Sequence, residues 1–174
     1  MHPIAETVRE RFPEALIESR EALGELSLQV RKEHIVPVCR FLHDDSELDF
    51  DHITDICSTD FPEDQERFEV VYHFYSIRKN HRIRVKARVS EEDCVIDSIC
   101  GIWKGANFLE RETYDMMGIV FRNHPDLRRI LMTDDFEGWP LRKDFPTEGR
   151  GWRDTFEFLP KPGEETEETP GERR

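Results

Sequence analysis

From residue 82 to residue 89 polar and apolar side chains alternate without a fault, Arg82, Arg84, Lys86 and Arg88 against Ile83, Val85, Ala87 and Val89. A period of two marks a strand with one buried face. Phe68 to Ile77 precedes it across Arg78-Lys79-Asn80-His81, and Cys94 to Ile102 follows it across Ser90 to Asp93, so the pattern predicts a three-stranded meander. With four-residue loops Ile77 opposes Arg82, Tyr75 opposes Arg84, His73 opposes Lys86, and Phe74 and Tyr72 meet Val85 and Ala87. Lys86 then faces Asp97, an exposed pair worth roughly 0.2–1 kcal/mol. Over Ile102 to Gly118 the period lengthens to that of a helix. Ile102, Ala106, Leu109, Thr113, Met116 and Met117 share one uncharged arc, Glu110, Trp103 and Tyr114 follow its edge, and Gly118 is a natural stop. Arg111 and Asp115 stand one turn apart on the other side.

Upstream the signals are shorter. Ala5 to Phe12 predicts a helix stopped by Pro13, and Leu26 to Val30 a strand. Ile35, Val38, Cys39 and Leu42 recur at helical spacing, with Pro37 near the start where proline is tolerated, and Asp51 to Asp60 reads as a short strand with its turn. The expected fold is a two-layer α+β domain, a mixed sheet of about five strands including the meander and covered by helices on one side. The core domain spans residues 1–122, an extended arm 123–160, and a disordered tail 161–174 that has no aliphatic or aromatic residue.

The arm departs from the domain's texture. Asn123 to Pro146 contains three prolines and Gly138 among alternating charges, which predicts one helical turn opened by Pro125 and then extended chain. Such a segment cannot satisfy its own backbone in a core of its own, yet it carries Leu127, Ile130, Leu131, Phe136, Trp139, Leu141 and Phe145. Those side chains call for a surface, and Trp, Phe and Arg are the usual anchors of interfaces. The expectation is an arm laid along a partner, with Arg128, Arg129, Arg142 and Lys143 meeting acidic groups there. The alternative is a long connection folded back over its own domain with its charges in water.

Composition narrows the function. Lys and Arg number 25 against 38 Asp and Glu in 174 residues, a net charge of −13 that argues against nonspecific nucleic-acid binding. Hydrophobic residues are only 37%, so the core is lean and reliance on a partner is expected. No apolar run approaches the ~18 residues of a spanning helix, and the first residues lack a signal-peptide layout. Cys39, Cys57, Cys94 and Cys100 form no C-x-x-C pair and read as core thiols of a reducing compartment.

The run from Glu110 to Pro146 carries three motifs in order: Glu-Arg-Glu-Thr-Tyr-Asp-Met-Met-Gly-Ile-Val-Phe, His-Pro-Asp-Leu-Arg-Arg-Ile-Leu, and Gly-Trp-Pro-Leu-Arg-Lys-Asp-Phe-Pro. Together they resemble the signature of the 30 kDa subunit family of the proton-pumping NADH:quinone oxidoreductase, respiratory complex I. The resemblance is tightest over Trp103 to Pro146. Departures are Met117 where a larger aromatic is usual, Asn123 where Gly is common and Trp139 where His is frequent, and these touch partner contacts rather than chemistry. The resemblance implies a structural subunit with no cofactor: neither flavin, iron–sulfur cluster nor quinone, and no catalytic residue. It implies packing against the large quinone-site subunit and neighbouring iron–sulfur subunits, on the cytoplasmic side of the cell membrane and held there through the complex. The expected partner-binding residues are Glu110, Arg111, Asp115, His124, Arg128, Arg129, Phe136, Trp139, Leu141, Arg142, Lys143 and Phe145.

Sharper chemistry is weaker. Glu110 and Glu112 point about 160° apart on a helix and cannot converge on one substrate. His73, His81 and His124 lack the spacing of a metal shell. The basic ladder of residues 82–88 reads as the wet face of a sheet. An equivalent subunit of a membrane-bound hydrogenase, a self-standing binding module and a small hydrolase are the other classes to be separated by experiment.

Overall fold

The alternating strand lies at the middle of a five-stranded sheet. A computed structural model describes residues 2–149, and the expected tail and the last part of the arm fall outside them. The elements run α1 (Pro3–Arg11), β1 (Leu16–Ala22), β2 (Glu25–Val30), a 3-10 turn (Lys32–His34), α2 (Ile35–Asp44), β3 (His52–Asp60), β4 (Phe68–Ser76), β5 (His81–Val89), β6 (Val95–Asp97), α3 (Ala106–Met117) and β7 (Val120–Arg122). Strand order is β1-β2-β5-β4-β3, antiparallel except for the parallel β2–β5 pair. This is the mixed α+β sheet that the pattern predicts.

The core follows the periodicity. Ile35, Val38, Cys39 and Leu42 of α2 are fully buried and pack with Ala5 and Val8 of α1 against the inward residues of the sheet, among them Leu28, Tyr72, Phe74 and Val85. Each large apolar side chain so removed from water contributes ~1.5–3 kcal/mol. Phe74 stacks on Trp103 at 4.4 Å, and the Trp103 indole N–H donates to the Phe50 carbonyl at 3.1 Å, so the indole is apolar and satisfied at once.

Three expectations are corrected. The β4–β5 register is displaced by two residues: Tyr75 pairs with Arg82, His73 with Arg84 and Val71 with Lys86, because the turn is Ile77 to Asn80 with Asn80 in the left-handed region at φ 51°. A slip of two preserves every face, so the alternation could not detect it. The third strand of the meander does not exist as foreseen. The antiparallel meander is β3-β4-β5, and the free edge of β5 is taken by β2, so the chain after Cys94 forms only the three-residue β6, which pairs in parallel with β7. Lys86 accordingly bonds Glu69 at 2.7 Å, while Asp97 takes Arg122 at 2.6 Å. The β1 edge strand has no clear signal in the sequence pattern. It is joined to β2 by Leu23 and Gly24, both at positive φ.

The long helix begins four residues later than its apolar arc, at Ala106 rather than Ile102, because residues 99–105 wind through turns anchored on Glu110. Gly118 ends it in the left-handed conformation at φ 76°, as predicted. Of the four free cysteines only Cys39 is buried; Cys94 and Cys100 are half-buried, and Cys57 is exposed on β3, so the core-thiol expectation holds for one of them.

Candidate functional site

Residues 123–149 form a strap with no long element, and α3 supplies what its backbone lacks. Asp115 is fully buried. Its Oδ2 accepts the N–H groups of Ile130, Leu131 and Met132 at 3.0, 2.7 and 2.9 Å, and its Oδ1 takes Arg129 at 2.7 Å. Burial by itself would raise this carboxyl; the three amides and the guanidinium outweigh it and hold the group below its ordinary value. Arg129 also donates to the carbonyls of Phe136 and Gly138 at 3.0 and 3.1 Å and lies 4.6 Å over the Trp139 ring. Arg111, one turn earlier on α3, donates to the carbonyls of Arg128 and Arg129, both at 3.2 Å. Arg111 and Asp115 thus hold the strap and not each other.

A second clasp fixes the far end. Arg67 meets Asp60 through two bonds of 2.8 and 2.9 Å, Glu91 at 3.0 Å and Asp144 at 2.9 Å. Arg67 beside them holds the Asp60 and Asp144 carboxyls below the usual carboxylate range. The Lys143 N–H donates to Asp60 at 2.8 Å, and Arg142 donates to the Met117 carbonyl at 2.7 Å while its guanidinium covers the Phe68 ring at 4.7 Å. Between the clasps the Leu141 N–H reaches the Met116 carbonyl, and Trp139 packs edge-on against Tyr114 at 5.2 Å. A Cβ on Gly118 would stand 2.5 Å from the Trp139 ring, so this glycine serves both the helix stop and the close approach of the strap.

The opposite end of α3 is organised by Glu110, which has no exposure. It accepts from the Ile99 N–H at 2.8 Å, and its second oxygen lies 2.6 Å from the Ser98 hydroxyl and 3.3 Å from the Cys100 thiol. Burial raises this carboxyl above its ordinary value, and its hydrogen bonds only moderate the effect. His124 Nε2 is 4.0 Å from Glu110 and 3.1 Å from the Asn107 carbonyl, while Nδ1 accepts the Asp126 N–H at 3.0 Å. The ring is therefore the neutral Nε2–H tautomer.

The residues proposed from sequence as partner-binding thus divide. Glu110, Arg111, Asp115, Arg129 and Arg142 bond within their own chain, so the pairing of Arg129 and Arg142 with foreign acids is replaced by Asp115, Glu91 and backbone carbonyls. Phe136 and Phe145 stack on one another at 5.8 Å and are half-buried, as is Trp139, while the His124 side chain is sealed. Arg128, Leu141 and Lys143 are exposed. Phe108, Ile130 and Leu131 join them as exposed apolar side chains of α3 and the strap. The clasp residues Arg67, Asp60 and Glu91 were not foreseen; the run of charges around residues 60–67 looks like an ordinary solvated turn, and only tertiary structure brings Asp144 to it.

The sequence model of the family described as "Respiratory-chain NADH dehydrogenase, 30 Kd subunit" matches residues 28–151. The chain belongs to this family. A curated relative from Geotalea uraniireducens (strain Rf4), named as a subunit of NADH-quinone oxidoreductase, is 51% identical over 142 residues, 82% of this chain and 85% of its own length. Among solved structures, a trypsin-resistant fragment (1-134) of Nqo5 is 33% identical, with a TM-score of 0.61, over 71% of this chain and 99% of that one. A chain of the membrane-bound sulfane sulfur reductase, an archaeal respiratory membrane complex, superposes with a TM-score of 0.71 over 94% of this chain and 95% of its own; at 22% identity it shows the fold alone. The motifs of α3 and the strap all lie inside the matched span. Among the described residues no helix is long and apolar enough to cross a membrane.

Proposed function

We propose that this chain is a structural subunit of an NADH:quinone oxidoreductase, contributing no catalytic residue and no redox cofactor to the passage of electrons from NADH to quinone. The carrying observation is the 51% identity, over most of both chains, to a protein named as a subunit of that enzyme. The geometry supports a scaffold role: Glu110 is sealed and Glu112 faces outward, so the acidic helix presents no pair of converging carboxylates. The strap is prefastened to α3, and its outward side offers Arg128, Ile130, Leu131, Leu141 and Lys143 beside Phe108. Because the two clasps already hold the strap against α3, docking there orders few new residues and costs little entropy. In this reading its partners are the large quinone-site subunit and neighbouring iron–sulfur subunits, and the complex holds the chain at the cytoplasmic side of the membrane.

Purification of the tagged full chain from gently solubilised membranes tests the reading. NADH:quinone activity and the partner subunits should accompany it. Recovery with hydrogenase subunits, or as a lone monomer, would replace it by a related complex or a self-standing module.

A further inference from the structure

We infer that Cys100, Glu110 and His124 together form a binding site for one zinc-type divalent cation, a structural rivet between the start of the strap and α3. This departs from the expectation of a metal-free chain and from the dismissal of His124 as a ligand, and it does not depend on the proposed function. Three elements converge here. Cys100 comes from the turn after β6, Glu110 from α3 and His124 from the turn after β7, and one donor atom from each lies within 4.8 Å of the others. The thiol sulfur is 3.3 Å from a Glu110 oxygen, and His124 Nε2 is 4.0 Å from the same oxygen. A tetrahedral shell with bonds of ~2.0–2.3 Å places its ligand atoms roughly 3.3–3.8 Å apart, so modest contraction closes the site.

The donor set selects the ion. One sulfur, one imidazole nitrogen and one carboxylate oxygen suit Zn2+ and Co2+, whereas Mg2+ and Ca2+ prefer oxygens alone. Charge balances as well. On binding, the Cys100 thiol gives up its proton to solvent and Glu110 binds as the carboxylate, so a dipositive ion sits on two negative ligands beside a neutral imidazole. His124 moves its proton from Nε2 to Nδ1 and releases the Asn107 carbonyl and the Asp126 N–H, which are the contacts the ion must outcompete. Ser98 Oγ and the Ile99 N–H remain to orient the Glu110 carboxylate from outside the shell. Cys100 is half-buried and leaves a way in, whereas the His124 and Glu110 side chains have no exposure.

The test is titration of the reduced full chain with Co2+ at neutral pH, because a cobalt–thiolate bond gives a near-ultraviolet charge-transfer band that histidine and carboxylate sites do not. One equivalent should bind with that band, yield to Zn2+ and raise the melting temperature. Cys100→Ser should abolish the band and weaken binding by more than the ~10–100-fold that loss of an outer partner costs. Glu110→Gln, which keeps the shape of the neutral side chain, should also weaken binding, and Cys57→Ser on the exposed face of β3 should change nothing. No charge-transfer band in the parent chain, a band that survives Cys100→Ser, or one lost in Cys57→Ser would overturn the site.

Discussion

The two ends of α3 each bury a carboxylate, and the two behave oppositely. Glu110 and Asp115 are both fully buried. At the strap end, three backbone amides and Arg129 surround Asp115 and keep it ionised. At the other end Glu110 has one amide, a hydroxyl, a thiol and a neutral histidine, too few donors to offset desolvation, so it holds its proton more tightly. Burial alone therefore does not decide what a carboxyl does; the number of N–H donors aimed at it does. The same helix uses a charge well solvated by its N–H donors to fasten a segment without secondary structure and a desolvated carboxyl, its pKa raised by burial, to knit the β6–α3 turn.

The largest test of this contrast is Asp115→Asn. It leaves Arg129 facing an amide in a buried site, and a loss of about 3–5 kcal/mol is expected, as for other broken buried pairs. Limited trypsin digestion should then cut at Arg129 and Arg142, which the folded strap protects, while hydrogen exchange in β4 and β5 stays slow. Equal protection in variant and parent would show that Asp115 does not hold the strap. Next in size is Gly118→Ala, where the left-handed backbone costs about 1–2 kcal/mol and the new Cβ displaces Trp139. A drop in melting temperature with a changed Trp fluorescence is the expected result, and an unchanged spectrum would remove the close approach from the account.

The opposite signs of the two shifts predict opposite pH behaviour. A carboxyl held low, as in Asp115, Asp60 and Asp144, contributes stability present above its unfolded value of about 3.9 and lost as pH falls through its folded value. The strap should therefore loosen below about pH 4, and the deficit of Asp115→Asn should shrink there. For Glu110 the folded value is raised, so its contribution is present below about pH 4.3 and is lost as pH rises through the folded value. With a chelator present, Glu110→Gln should match the parent in mild acid and become relatively more stable at alkaline pH. Parallel stability curves for the two proteins would contradict the raised shift. The smallest effect on the isolated chain is expected from Arg128→Ala, within about 0.5 kcal/mol because its pair with Asp126 is exposed. Yet it lies on the outward side of the strap, so co-purification of partner subunits should weaken; full recovery would move the docking surface elsewhere.

Much of the sheet and helix content was legible because periodicity reports which face of an element is dry. The alternation of residues 82–89 located β5 and its buried face, and Ile35, Val38, Cys39 and Leu42 marked the inner side of α2. The same signal is blind to a slip of two and to the identity of the neighbouring strand, which is why the β4–β5 register and the place of residues 94–102 came out differently. At the candidate site the motifs were visible but not their geometry. Arg129 and Arg142 looked free for a partner because their acceptors, Asp115 and Glu91, lie 14 and 51 residues away. The Cys100, Glu110 and His124 cluster likewise has no motif spacing.

Kinship, the mixed α+β class, the helix stop at Gly118 and the position of a proline-broken segment rich in bulky side chains can all be read along the chain. Each of these is written in local pattern: period, glycine, proline and runs of residue types. Long-range packing fixes the rest: that this segment is strapped to its own domain, which way each buried carboxyl's pKa moves and which strands are neighbours. Those outcomes depend on donors and edges supplied by residues distant along the chain, and hydrogen-bond partners leave no period behind.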